Sequence, residues 1–429
     1  MFEKLNINIV GGLNIPLPRM LKVRQVFADR AIKDVTAAVQ AELNKPEISA
    51  RITPGASIAI GVGSRGVANI DTVVKAMVAE LKKRGAQPFV FPAMGSHGGA
   101  TADGQAEVLA NYGITEATIG APVRATMDTE IVTQLPDGTP LHMDKFARAA
   151  DGVVVVNRIK PHTTFRGDIE SGLVKMLIIG MGKINGASTF HTLHGMDRFP
   201  EVLPQAAEAL MKHIPFLFGL GLVEDAYDHT AIIEAITGDK LVEREAQLLV
   251  KSKDYMAKLY FDNIDVLIID QMGKEISGAG FDPNITGRNN RGVVGFDHPQ
   301  VKKIVVLDLS DKTHGNATGL GVADVITQRL FNRIDFEYTY ANVITSAYLD
   351  GGLIPIVMQT EHDAIALAAK TVPRVNSQNA RIVRIRDTLT LGEIEVSEAL
   401  LDEVQAHAGL EILSEPFEMA FDADGRLPR

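Results

Sequence analysis

The feature that most constrains this chain is an alternation: short, β-branched apolar runs that close on glycine-rich or polar turns, interleaved with longer stretches of helical periodicity. From Ala56 it reads ASIAIGVGSRG and then VANIDTVVKAMVAELKKRG, in which Val73, Val74, Met77, Val78 and Leu81 recur at helical spacing. Gly85 stands where a helix C-cap belongs. AQPFVFPAMGSHGG follows as a strand entering a glycine-rich turn, and TADGQAEVLANYGI resumes helical character as far as Gly113. Strand, helix, strand, helix predicts a parallel sheet, because parallel neighbours need a crossover between them. DGVVVVNRIKPH and LVKMLIIGMG read as further buried strands, as do NIDVLIIDQMGKEISGAG and KKIVVLDLSDKTHGNATGLG, after which VADVITQRLF reads as a helix.

A length of 429 residues with 46% apolar content can bury more than one core. The expected fold class is therefore α/β: two α/β domains with Rossmann-like parallel sheets and the active site in the cleft between them. The expected division is 1–250 and 251–429, with the boundary in the charged helical stretch at 240–262 and the extreme C-terminus able to pack back on the first domain.

A net charge of −10 repels polyanions, and no dense Lys/Arg run offsets it, so nucleic acid is an unsuitable partner. The opening MFEKLNINIV lacks the apolar core of a secretory signal, and no run is long enough to span a bilayer, which together predict a cytoplasmic protein with no membrane partner. Cysteine is absent, which removes disulfides, thiolate nucleophiles and cysteine-based metal sites. Any metal must rest on histidine, carboxylate or the atoms of a cofactor.

Several strand ends carry chemistry. Gly61-Val62-Gly63-Ser64-Arg65-Gly66 matches a dinucleotide fingerprint between a strand and a helix, where glycines allow close approach and a helix N-terminus attracts phosphate. The second strand ends in FPAMG with no acid for a ribose hydroxyl, which weakens an ordinary NAD site and leaves a structural turn as the alternative. His97 in GSHGG and His162 in KPHTTFRGD fall at two strand ends that a parallel sheet brings to one edge. Two imidazoles there suit paired acid/base work, and loop hydrogen bonding is the plainer role for either one alone. Lys175 in SGLVKM either snorkels from a buried segment or is tuned for covalent chemistry. His191 and His194, three apart, would share a helix face fit for a metal or simply exposed to solvent. Gln271 and Lys274 follow the first strand of the second domain, where a cation could meet a substrate carboxylate. TGRNNRG (286–292) could bind a hydroxylated acid or form an exposed loop.

Taken together, GVGSRG, GSHGG, KPHTTFRGDIESGLVKM, FH and DQMGK stand in the order and approximate spacing of the nickel-pincer-nucleotide lactate racemase family, which the chain resembles over about residues 15 to 360. The resemblance implies a racemase or epimerase of 2-hydroxy acids. Its cofactor would be the nickel-pincer nucleotide, a pyridinium-3,5-bisthiocarboxylic acid mononucleotide carrying nickel, supplied by cofactor-synthesis enzymes as partners. By the same resemblance Lys175 is the covalent tether, with Lys183 a second candidate, and His191 is the nickel ligand. His97 and His162 are the two bases, Gly63, Ser64, Arg65, Gly98 and Gly99 contact the cofactor, and Arg65, Gln271 and Lys274 contact the substrate. The chain departs from the family at Val62, where an acid is expected, in a longer His162-to-Lys175 interval, and in having no tryptophan. The implied substrate class accordingly runs from lactate to sugar acids. A dehydratase, an NAD-type oxidoreductase and a non-catalytic nucleotide- or metal-binding module are the competing readings.

Overall fold

The structure is a computed structural model that describes residues 8–63, 66–346 and 348–428. It is a mixed α/β protein with parallel-rich sheets, and the chain forms two compact units, residues 28–256 and residues 1–27 with 257–429. Strand β1 (Met20–Gln25) precedes the first unit in sequence. Within residues 28–256 lie β2 (Ser57–Val62), β3 (Gln87–Pro92), β4 (Thr129–Gln134), β5 (Pro140–Asp144), β6 (Gly152–Arg158), β7 (Phe216–Glu224) and β8 (Thr230–Ile236). Then come β9 (Asn263–Ile269), β10 (Gln300–Val306), β11 (Val325–Thr327), β12 (Ile356–Met358), β13 (Ile382–Ile385), β14 (Glu393–Ser397) and β15 (Leu410–Ile412).

In the unit of residues 28–256 the main sheet has the order β3-β2-β6-β7-β8, parallel except for β8. Its central strands are apolar on both faces because both are covered. Ala59, Phe91, Val153 and Val155 enter one core, while Ile58, Ile60, Val90, Val154 and Val156 enter the other, the alternation that a pleated strand imposes. The helix Ile70–Lys83 lays Val73, Val74, Met77, Val78 and Leu81 onto the second face. Each such burial contributes roughly 1.5–3 kcal/mol before chain entropy is charged against it. Gly85, at φ +82°, follows this helix, and Gly113, at φ +78°, follows the helix Ala102–Asn111. The chain passes from β2 to β3 on one side and later from β6 to β7 on the other. The gap between the carboxyl ends of β2 and β6 is thus a topological switch point, where open α/β sheets bind ligands.

The other unit holds an eight-stranded sheet, β12-β11-β10-β9-β13-β14-β1-β15, whose first five strands are parallel. It has its own switch point, between β9 and β13. Strand β1 is paired antiparallel with β14 and β15, so residues 1–27 belong with the C-terminal half and the expected 1–250 boundary is corrected there. The partners of β1 lie near residues 393–412, beyond the reach of local periodicity. Phe417 and Leu427 pack into this same unit's core.

Two segments differ from their sequence reading. LVKMLIIGMG is helical: Leu173–Lys175 runs into a π-helical turn at Met176–Gly180. A short apolar run rich in Leu and Met does not distinguish strand from buried helix. Glu245 settles the matter by accepting the Val174 N–H, a free donor at the start of this helix. VADVITQRLF is split, with Val325–Thr327 pairing with β10 and the Thr327 side chain capping the short helix Gln328–Asn332.

Candidate functional site

Val62, Pro92 and Val156 are register partners at the ends of β2, β3 and β6, so the loops that follow leave the sheet side by side. The turn after β6 bends back through Lys160 and Ser171, which exchange backbone hydrogen bonds and enclose the loop bearing His162. Glu170 is buried at the base of this loop. Its carboxylate accepts from the His162 N–H at 2.6 Å and from the Gly167 N–H at 3.3 Å, and pairs with Lys253 Nζ at 2.6 Å and Arg166 at 3.3 Å.

His162 Nε2 lies 2.8 Å from Lys175 Nζ, and its Nδ1 accepts the Thr164 N–H at 3.1 Å. A backbone amide can only donate, so Nδ1 carries no hydrogen and the neutral ring holds its hydrogen on Nε2. Phe165 stacks on His162 with centroids 4.2 Å apart, meets Phe199 edge-on at 5.8 Å, and Phe199 in turn meets His191 at 5.0 Å. The tip of His191 is exposed, yet the protein behind it desolvates the ring and lowers its pKa, with the Lys175 charge as a second cause. An uncharged imidazole with an open lone pair is the form that ligates metal.

The structure thus brings His162, Lys175 and His191 into one cluster. His97 follows β3, on the other side of β2, where two strand spacings amount to about 10 Å. Its loop is tied down by Gln105, whose amide donates to the Gly95 carbonyl at 2.9 Å and the His97 carbonyl at 3.2 Å. The Gly95 N–H bonds the Gly180 carbonyl at 3.1 Å, which joins this loop to the turn after Lys175. Ser64 and Arg65 lie outside the described residues. Gln271 and Lys274 follow β9 at the switch point of the other unit. Gln271 donates to Asp387 at 3.1 Å across that gap, and Lys274 donates to the Gly278 carbonyl at 2.8 Å.

Packing accounts for several of the glycines. A Cβ on Gly61 would stand 2.9 Å from the Phe91 ring, one on Gly63 2.7 Å from Asn157 Oδ1, and one on Gly98 2.6 Å from the Gly104 backbone. Gly99, at φ +64°, has open space around it. Lys183 is wholly buried, with Nζ 3.1 Å from Asp144 Oδ2 and 3.0 Å from Gln105 Oε1 and bonded to the Pro92 carbonyl, so it is closed to any ligand. His194 turns inward to Thr139 at 3.0 Å and does not share the exposed surface of His191. Among the described residues, the cluster of three or more potential metal ligands is Asp29, Asp225 and His229, which excludes His191. A metal at His191 would therefore need donors from a cofactor.

Sequence reasoning passed over Glu245. It is 1% exposed on the helix Leu241–Tyr255, and a signal was present: Leu241, Leu248 and Leu249 at i−4, i+3 and i+4 place this acid on the apolar stripe. Burial raises its pKa to about 7, against the opposing N–H donation of Val174 and Leu173. The folded state therefore holds this proton more tightly than the unfolded state. The associated stability is fully present below pH 4.5 and is lost as pH rises through 7, a difference of about 3 kcal/mol. In urea unfolding, wild type is expected to lose about that much relative to Glu245→Gln between pH 4.5 and 8. A pH-independent gap between the two proteins would contradict this reading.

A family model described as a domain of unknown function, DUF362, matches residues 64–257. No curated protein matches the chain. Among solved structures the chain is similar to the lactate racemase apoprotein from Thermoanaerobacterium thermosaccharolyticum, with 15% identity, a TM-score of 0.54, and coverage of 87% of this chain and 99% of that one. At that identity the likeness is one of fold.

Proposed function

We propose that this chain is an isomerase, a racemase or epimerase of 2-hydroxy acids, working in the cytoplasm with a nickel-pincer nucleotide. The observation that carries the reading is the 2.8 Å contact between Lys175 and His162, with His191 beside them at a sheet switch point. The residues present suit such a group. Lys175 offers an amine for a covalent tether, His191 offers an exposed imidazole to nickel, and Gly63 keeps the end of β2 free of side chain next to Asn157 and Met176. Gly98 and Gly99, with Ser64 and Arg65, would line the nucleotide.

When bound, the group supplies an acceptor and donor of hydride. The protein's own residues handle protons and position. With Lys175 taken up as the tether, His162 Nε2 would be left to meet a substrate hydroxyl, and to take its proton there the ring would adopt the tautomer with hydrogen on Nδ1, giving up the Thr164 N–H contact. One imidazole takes the hydroxyl proton of one enantiomer and His97, across β2, serves its mirror image. Lys274, Gln271 and Arg65 would hold the substrate carboxylate. The substrate class extends from lactate to sugar acids, with Asn289 and Asn290 of the 286–292 run able to bond extra hydroxyls. Cofactor-synthesis enzymes are the partners this requires.

The test is to produce the chain together with such enzymes and measure intact mass, peptide mass and nickel. An adduct on the Lys175 peptide, none on Lys183, and stoichiometric nickel are expected. An unmodified mass under conditions that load a known member of the family would overturn the proposal.

A further inference from the structure

Residues 336–358 form a charge-poor stretch that the function above leaves unused: Glu337 and Asp350 are its two charged side chains, against 22% charged residues in the whole chain. The helix Phe336–Thr345 buries Thr339 and Val343 against its own unit. Its neighbouring flank presents Tyr340 and Ile344, the latter 67% exposed. The short turn Leu349–Gly352 adds Leu349, 63% exposed, and the chain continues through exposed Leu353 and Ile354 to Ile356 on β12. The helix and the turn meet. Tyr340 Cδ1 lies 3.8 Å from the Cβ position of Gly352, which also abuts Val343. These six side chains expose on the order of 600 Å², at the top of what a monomer ordinarily leaves to water and most of the ~800 Å² that each partner contributes to a standard interface.

We infer that this face binds a second copy of the same chain across a two-fold axis. The edge position of β12 supports that occupant. Ile356 donates its N–H to the Asp324 carbonyl on the β11 side at 3.2 Å, so alternation turns the N–H and C=O of Val357 toward the open edge. Two β12 strands meeting antiparallel at Val357 would satisfy both groups at once, the self-complementary arrangement that a two-fold axis requires. Pro355 and the three-residue length of β12 limit the strand pairing to that one residue pair, so the apolar face supplies most of the binding. Depletion of charge at the centre, with tyrosine enriched, is the composition of an interface core. The inference is independent of the proposed reaction.

Sedimentation equilibrium on the full chain tests it. Wild type is expected to show twice the 46.3 kDa chain mass at micromolar concentration, and Ile344→Asp with Leu349→Glu to show the single-chain mass with unchanged far-ultraviolet dichroism. Ile131→Glu, at an exposed site on β4 in the other unit, should remain dimeric. A second measurement does not depend on that double variant folding: the chain has no cysteine, so a bismaleimide of about 8 Å span should cross-link Ile356→Cys into a dimer at least tenfold faster than Ile131→Cys. Wild type at the single-chain mass throughout, or equal cross-linking rates, would overturn the inference.

Discussion

A Lys183→Met variant is expected to lose about 3–5 kcal/mol of stability, the usual consequence of stranding one member of a buried ion pair. Lys183 and Asp144 both have fully buried side chains, and Nζ and Oδ2 stand 3.1 Å apart. That contact lies off the hydrogen-bond axis, since Asp144 Oδ2 has no hydrogen-bond partner, so the attraction is one of charge. Burial raises the Asp144 pKa and lowers that of Lys183, and each is partly restored by the other. Methionine leaves the carboxylate without its counter-charge while Asp144 must still accept the Phe146 and Ala147 N–H groups. The thermal midpoint of this unit should fall by about 10 °C. Adding Asp144→Asn should recover much of the loss, because the amide needs no counter-ion yet still accepts those bonds. A single variant that melts within a degree or two of wild type would show that the pair is dispensable. The damage should also reach the proposed site, because Gln105 loses its Lys183 partner while it holds the carbonyls of Gly95 and His97.

The second large effect concerns chemistry. In protein loaded with cofactor, His162→Gln is expected to lower the rate of racemisation of a responsive 2-hydroxy acid by about 10²–10⁴, the usual contribution of a positioned acid/base. Loss of optical rotation is the measurement. Gln occupies similar space and keeps the backbone N–H that bonds Glu170, so the loop should persist. The Lys175 adduct and nickel content should persist with it, which separates a lost proton carrier from a lost cofactor. Activity within tenfold of wild type would remove His162 from the mechanism. His97→Gln should act in the same direction with its own enantiomer preference, because the two loops leave strands on opposite sides of β2.

The legible part of this protein lay in local patterns. The run SIAIGV and the periodic apolar residues from Val73 to Leu81 specify a buried strand and the helix that covers it. Glycines at 85 and 113 mark where helices end because few other residues take positive φ there at low cost. Once parallel order is accepted, the residues after β2, β3 and β6 must share an edge, which puts the loops of His97 and His162 at the same end of one sheet. The region from 173 to 182 was misread because an apolar run records burial rather than backbone shape. Its helical state depends on Glu245, some seventy residues onward.

By itself, then, the sequence determined the alternation of elements, the cores on both faces of each central strand, and which imidazoles and amines could stand at a strand end. Tertiary structure alone decided that Lys175 faces His162 while Lys183 is sealed against Asp144, that His194 turns inward while His191 stays open, and that β1 crosses to the far end of the chain to find its sheet. The physical reason is range. Hydrophobic periodicity and glycine conformations act over a few residues, whereas the protonation and accessibility of an amine or an imidazole depend on whichever distant carboxylate, carbonyl or ring folding brings within a few ångströms of it.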